Sequence, residues 1–250
     1  MTTSSDHLID NCAFPNDCLY DLENLIWIKF VNEVDRREDD SKEFLIGITP
    51  VYSYITGKIN NLKVKPIGSL IERNKSIGSV ESIIHFGTIR SPLKGKIIEI
   101  NEKVINNPKI VNDSPFGNGW IARIKTINDH VVSDSIKKME DCKDDLLAQI
   151  KKYHVKCFKL FPDFQMFEIG TECSATLAKL DEFMVKSMQK DQVIRLVSDD
   201  PTADLELLRW AEQKQQEIVE ILKENNKTYA ASGNHSSNYL FNIIIRKKVN

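Results

Sequence analysis

Residues 80–125 read VESIIHFGTIRSPLKGKIIEINEKVINNPKIVNDSPFGNGWIARIK, and this stretch decides the fold of the first half of the chain. IGSVESIIHFG (77–87), KGKIIEIN (94–101) and GWIARIK (119–125) are short runs rich in β-branched residues, divided by turn formers at Pro92, Pro108, Pro115 and Gly117. Such runs predict strands closing into a barrel or sandwich. Working outward, FLIGI (44–48) and KINNLKV (58–64) have the same character, punctuated at Gly57, Pro66, Gly68 and Asn74. Further upstream, Ile26, Ile28 and Phe30 alternate with Trp27 and Lys29, the period of a half-buried strand. The charged run Val34–Glu43 (VDRREDDSKE) predicts a solvated hairpin loop. Gly57-Lys58-Ile59 and Gly95-Lys96-Ile97 echo one another, as two related halves packed face to face would require.

Downstream the pattern changes. Residues 133–153 space Ile136, Met139, Leu146, Leu147 and Ile150 as one helix face, with Ser133 or Asp134 available to cap it. CFKLFPDFQMFEIG (157–170) then reads as extended. SATLAKLDEFMVKSMQ reads as a helix burying Leu177, Leu180, Met184 and Met188, with Ser174 as the N-cap. VIRLVSD is a short strand. TADLELLRWAEQKQQEIVEILKEN (202–225) reads as one long helix with a stripe of Leu205, Leu208, Ala211, Ile218 and Leu222, and Trp210 reads as core. TYAASGN and YLFNIIIRKK are the expected closing strands, paired through the polar turn GNHSSN. The order strand–helix–strand–helix–strand–strand predicts a two-layer α/β sandwich.

The 250 residues suffice for two domains, and 41% hydrophobic with 28% charged content fits a globular chain. A formal net charge of −2 argues against nucleic acid or an anionic membrane as the general partner. The start, MTTSSDHLIDNC, has no charged stretch followed by an apolar run, and no window carries the ~18 apolar residues of a membrane helix. The expectation is a cytoplasmic protein. Cys12, Cys18, Cys142, Cys157 and Cys173 are odd in number, scattered and without a CxxC, which predicts idle thiols and neither a zinc site nor a disulfide framework.

The run from Glu81 to Trp120 resembles the H protein of the glycine cleavage system. Glu81-Ser82, Pro92, Gly95, Asn101-Glu102, Pro108-Lys-Ile-Val-Asn112 and Ser114-Pro-Phe-Gly-Asn-Gly-Trp120 fall in that family's order. Phe14-Pro15, Trp27, Gly47-Ile48-Thr49 and Gly57-Lys58-Ile59 extend the likeness to residues 12–155. The resemblance implies a barrel-sandwich hybrid with a C-terminal helix, and a lipoate carried on a lysine three positions after the Glu of the Glu-Ser pair. Here that position is Ile84, and the hairpin Glu81–Gly87 holds no lysine. Lipoylation forms an amide from an amine, which a branched alkane cannot supply, so the expected cofactor complement is none. Lys75 and Lys94 belong to the flanking segments. Glu81 and Ser82 read first as turn residues whose oxygens satisfy nearby N–H groups. With His85 they are also the candidate docking hairpin for lipoate-handling enzymes. Gly87 reads as a backbone requirement.

Residues 158–250 resemble the TusA-type, SirA-like sulfur carriers. Gly170-Thr-Glu-Cys173-Ser174 stands where that family has a Gly followed by Cys-Pro, with Ser174 in place of the proline. Asp199-Asp200-Pro201 and the ending Phe241–Lys247 match as well. The resemblance implies a persulfide on Cys173. A thiol ahead of a helix N-terminus feels its positive end, which favours the thiolate; Glu172 opposes this. The Asp199-Asp200 pair reads as a cap for the helix starting near Thr202 and not as a metal site.

No phosphate-binding glycine loop, zinc motif, nucleophile elbow or catalytic triad is present. The expectation is a non-enzymatic carrier or docking protein. It joins an H-protein-like domain that cannot be lipoylated to a sulfur-carrier-like domain, and its partners are sulfur-transfer or lipoate-handling enzymes. The alternatives are a chemically silent scaffold or regulator, and a component of glycine cleavage itself.

Overall fold

The computed structural model describes residues 7–31, 42–127, 135–225 and 239–249. The charged run from Val34 to Ser41, the capping candidates Ser133 and Asp134, and the TYAASGN segment with its GNHSSN turn lie outside the described residues. The chain divides into two compact units, Met1–Cys157 and Phe158–Asn250.

In the first unit, the hairpin β1 (His7–Ile9) and β2 (Cys12–Phe14) stands as a sheet of its own. The following elements are β3 (Leu19–Asp21), β4 (Ile26–Phe30), β5 (Glu43–Ile48), α1 (Pro50–Thr56), β6 (Asn61–Val64), β7 (Leu70–Ile71), β8 (Ser76–Glu81) and β9 (Phe86–Arg90). The unit closes with β10 (Gly95–Ile100), α2 (Glu102–Asn106), α3 (Lys109–Asp113), β11 (Ala122–Thr126), β12 (Ile136–Lys138) and α4 (Met139–Lys152). A seven-stranded sheet runs β12-β3-β4-β5-β11-β10-β7, and a three-stranded sheet runs β6-β8-β9.

Strand alternation explains how one sheet serves two cores. Ile28, Ile46, Ile97 and Ile124 meet Leu62, Ile77, Val80 and Ile89 of the small sheet. The opposite face offers Tyr20 and Trp27, which are covered by Phe14 and by Met139, Cys142, Leu146 and Ile150 of α4. Met139, Cys142, Leu146 and Ile150 are spaced three and four apart, one helix face. The helix expected over 133–153 starts late because Ile136–Lys138 pairs with β3 instead. Glu140 and Asp141 in the first turn of α4, with Lys151 and Lys152 in the last, suit the helix dipole. The echoed glycines do not share a role: Gly57 ends α1 with φ +77, whereas Gly95 opens β10 opposite Thr126 and Ile71.

Two of the cysteines read as idle are joined. Cys12 and Cys157 form a disulfide across a sequence separation of 145, while Cys18, Cys142 and Cys173 are buried thiols. Spacing carried no sign of it, because the two thiols meet only when β2 and the segment after α4 pack on the same core.

In the second unit, β13 (Phe164–Glu168), α5 (Cys173–Ser187), β14 (Val193–Ser198), α6 (Ala203–Lys214), β15 (Glu217–Asn225) and β16 (Tyr239–Arg246) follow one another. The sheet order is β13-β14-β16-β15, with β13 parallel to β14 and the remaining pairs antiparallel. Ile194, Leu196, Phe241, Ile243 and Ile245 form the core with Leu180, Met184 and Met188 of α5 and Leu207, Trp210 and Ala211 of α6.

The long helix expected over 202–225 is two elements. Gln215 takes a left-handed conformation (φ 53), Gln216 N–H returns to Ala211 O, and the chain leaves as β15. Reading β15 into the helix also shifted its phase, for Leu205 and Leu208 are 60% and 49% exposed. The buried Lys247 donates to Met184 O and Met188 O at 2.8 Å each, closing the C-terminal end of α5.

Candidate functional site

Strands β8 and β9 form a hairpin in which Glu81 faces Phe86, leaving Ser82–His85 as its tip. Ser82 organises that tip. Its N–H donates to His85 O at 2.8 Å, and its Oγ accepts from Ile84 N–H at 3.2 Å and His85 N–H at 3.0 Å. The same hydroxyl donates to Thr56 O at 2.6 Å, which ties the tip to the last turn of α1. Glu81 is exposed and accepts from Asn61 Nδ2 at 3.3 Å. Ser82 thus has the backbone N–H partners that the turn-forming reading expects, whereas the Glu81 carboxylate meets a side-chain amide instead.

The seat beneath the tip is built from α1 and α3. Thr49 caps α1, accepting from Tyr52 N–H, and Pro50 occupies the first turn, where its missing N–H costs nothing. Gly57 ends the helix in a left-handed conformation that a side chain would strain, and a Cβ there would lie 3.1 Å from Ile84 Cδ1. Asn112 of α3, 7% exposed, accepts from Ile59 N–H at 2.9 Å and donates to Ser53 Oγ at 2.7 Å and Gly57 O at 3.0 Å. Gly87 is a close-approach position, because the Tyr52 hydroxyl occupies the place of its missing Cβ. Burial pushes the Tyr52 phenol up to about 12, the charge of Arg90 opposing, so it stays protonated at neutral pH.

What the tip presents is apolar. Ile83 is 92%, Ile84 76% and Phe86 68% exposed. His85 is half-buried against the Tyr52 side. Lys94 pairs with Glu72 at 2.9 Å. Lys75 precedes β8, whose length at about 3.3 Å per residue places it roughly 20 Å along the strand from the tip. The tip therefore offers branched alkane and aromatic surface, and Glu81–Gly87 holds no amine side chain.

Cys173, in the second unit, is the first residue of α5 and is buried. Its N–H donates to Asp200 Oδ2 at 2.9 Å, and Gly170 N–H donates to Asp199 Oδ1 at 2.8 Å. Asp200 also accepts from the Thr202 N–H and hydroxyl at 2.8 and 2.7 Å. One carboxylate thus serves the starts of both helices. Glu172, not Ser174, takes the N-cap position of α5, with no side-chain cap bond of its own. Burial would raise the Asp200 carboxyl, but the bonds from Thr202 and Cys173 outweigh it and hold the pKa below the ordinary value.

The thiol goes the opposite way from the helix-dipole expectation. Burial first, then the charges of Asp200 and Glu206, push Cys173 up from 9.0 to about 11. The neutral thiol is favoured in the folded state, so this contribution to stability is intact below pH 9 and is lost as pH rises toward 11. Asp200→Asn is expected to bring the thiol part of the way back toward 9, since burial, the larger cause, is unchanged. The pH midpoint of alkylation of the Cys173 peptide measures this. An unmoved midpoint would show that the carboxylate does not control the thiol.

Sequence reasoning identified Glu81, Ser82, Ile84, His85, Gly87 and Cys173, and the fold gathers the first five at one hairpin. It missed the seat. Asn112 was noted only within its Pro-to-Asn motif, and Tyr52 and Thr56 left no local sign.

Most of the first unit is similar in sequence to known proteins. The family description "Glycine cleavage H-protein" matches residues 27–149. Glycine cleavage system H protein 2 of Aquifex aeolicus is 32% identical over 146 residues, covering 58% of this chain and 86% of that protein. Probable glycine cleavage system H protein 3 of Sulfolobus acidocaldarius is 33% identical over 131 residues, covering 52% and 84%. A crystal structure of a glycine cleavage system H protein from Mycobacterium marinum aligns with TM-score 0.44 at 20% identity, covering 53% of this chain and 98% of that one. With the tip, its seat and the motifs on either side all lying within the matched segment, the chain belongs through its first unit to the glycine cleavage H-protein family.

Proposed function

We propose that this chain is a non-lipoylated docking protein of the H-protein type: it engages lipoate-handling enzymes through the β8–β9 hairpin but carries no acyl or aminomethyl group there. The observation that carries this reading is Ile84, 76% exposed at the tip, where the sequence resemblance implies the family's lysine. Ser82 ties the tip to Thr56 beside Gly57, so the hairpin holds an ordered turn on which its apolar side chains are presented. No reaction step is assigned to the chain's own residues. Binding rests on burying Ile83, Ile84 and Phe86 in an apolar recess of the partner, at about 25 cal/mol per Å² of apolar surface.

The test is a lipoate–protein ligase supplied with ATP, lipoate and an authentic H protein. This chain is expected to gain no mass and to slow modification of the authentic protein by competition. Ile84→Asp is expected to abolish that competition. A lipoyl adduct on any lysine of this chain, or no competition at all, would overturn the reading.

A second reading follows from the sulfur-carrier resemblance of residues 158–250: Cys173 holds a persulfide sulfur. The position of the thiol as the first residue of α5 favours it, while burial and a pKa of about 11 favour the silent scaffold. Mass spectrometry after exposure to a sulfur donor distinguishes them. Selective addition of sulfur to Cys173 supports carriage, and no selectivity over Cys18 and Cys142 supports the scaffold.

A further inference from the structure

We propose that the Cys12–Cys157 disulfide is a reversible redox clasp, opened by dithiol attack at Cys157, which sets the order of the N-terminal hairpin and of the segment after α4. The inference is independent of the docking reading.

The bond joins two weakly held pieces of chain. β1 and β2 are three residues each and, among the described residues, pair with no other strand. An isolated two-stranded hairpin of that size is not stable by itself. It is kept in place by burying Ile9, Cys12 and Phe14 against Met139, Leu146 and Ile150 of α4. The other piece turns at His154 (φ 50) and is held by Val155, whose side chain is 3% exposed and whose N–H donates to Ile150 O at 2.9 Å. Cys157 ends the first unit. The clasp therefore closes nearly the whole unit into a ring, at a Cα–Cα distance of 5.1 Å that suits a disulfide.

The two sulfurs differ in access. Cys12 is 0% exposed and Cys157 half-buried, so the attack of an incoming thiolate is assigned to Cys157 Sγ. Attack there forms a mixed disulfide and breaks the Cys12–Cys157 bond. The electron pair leaves on Cys12 Sγ, which takes up a proton. The second thiol of the dithiol then attacks its own sulfur in the mixed disulfide, closes the small-molecule disulfide and releases Cys157, which is protonated in turn. Two electrons and two protons pass from the dithiol to the protein. Cys18, Cys142 and Cys173 stay out of the exchange because they are buried, and burial further raises Cys142 to about 11.

The experiment uses the full chain. Alkylation of the air-purified protein under denaturing conditions is expected to label Cys18, Cys142 and Cys173 and to leave a linked Cys12–Cys157 peptide pair. With limiting glutathione as the monothiol probe, the mixed disulfide is expected on Cys157. Full reduction with dithiothreitol is expected to lower Tm by on the order of 10 °C and to speed hydrogen exchange at residues 7–14 and 153–157, leaving the β8–β9 hairpin unchanged. The double variant Cys12→Ser, Cys157→Ser should behave as the reduced protein with or without reductant. Five labelled thiols in the air-purified sample, glutathione on Cys12, or equal Tm and exchange in both redox states would each overturn the proposal.

Discussion

Ile84→Lys is expected to turn the chain from a protein with no detectable lipoyl adduct into one modified on most molecules by a lipoate–protein ligase. The substitution supplies the missing amine and disturbs little else. Ile84 contributes its backbone N–H to the turn, not its side chain, and that N–H bonds to Ser82 Oγ whatever side chain is present. The Ile84 side chain lies over the open side of Gly57, where an added Cβ would meet its Cδ1 at 3.1 Å, and it is already 76% exposed, so stability should change by less than about 1 kcal/mol. The amine, on a flexible four-carbon stem, would project into solvent, where the ligase can form its amide. Intact mass and a fragment spectrum locating the adduct on residue 84 are the measurement. Adding Ser82→Ala should cut the extent of modification several-fold, because the turn loses the hydroxyl that anchors it to Thr56. If Ile84→Lys alone remains unmodified while still folded, then Glu81, His85 or Phe86 has also diverged from what the ligase reads, and the tip has lost more than one residue's function.

How much of this was legible in the sequence depends on the range of the interaction. β5, β10 and β11 were readable because a strand's own alternation records which side it buries, and the tip was readable because its turn is closed by residues within it. The short helices α1, α2 and α3, of five to seven residues, leave no periodicity to detect. β15 was misread for a definite reason: Ile218, Ile221 and Leu222 fit a helix face as well as a strand. The choice is made by Gln215 turning left-handed and by pairing with β16. β-branched residues favour that outcome, but the partner strand lies beyond any local window. The thiolate character of Cys173 was misread in the same way. The helix N-terminus is visible in the sequence, whereas the carboxylates of Asp200 and Glu206 and the burial that overrides the dipole come from the fold. The Cys12–Cys157 pair is the limiting case, a contact between the first and last parts of one unit with no local correlate.

Asn112→Ala is expected to destabilise the first unit by about 3 kcal/mol, as the loss of three hydrogen bonds in a buried position requires. Ile59 N–H and Gly57 O would each be left buried without the side chain that satisfies them, and Ser53 Oγ would lose a donor. The size of the effect follows from geometry: one amide presents an acceptor to one strand-entering N–H and two donors to the end of α1, a combination that only a carboxamide side chain supplies. Asn112→Asp should cost more, since its carboxylate keeps the bond from Ile59 but turns a buried charged acceptor toward Gly57 O, which cannot donate. Urea unfolding followed at Trp27 and Trp120 measures both variants. An unchanged slope with a lower midpoint is the signature of lost stability in place of an altered unfolded state. The change should also reach the tip. Gly57 O lies one residue from Thr56 O, the acceptor of the Ser82 hydroxyl, so loosening the end of α1 loosens the turn. Hydrogen exchange at the amides of Ile84 and His85 should rise in Asn112→Ala under conditions where the sheet remains protected. If the unit is destabilised but those two amides are unaffected, the seat and the tip are energetically separate, and Asn112 serves the core without positioning the hairpin.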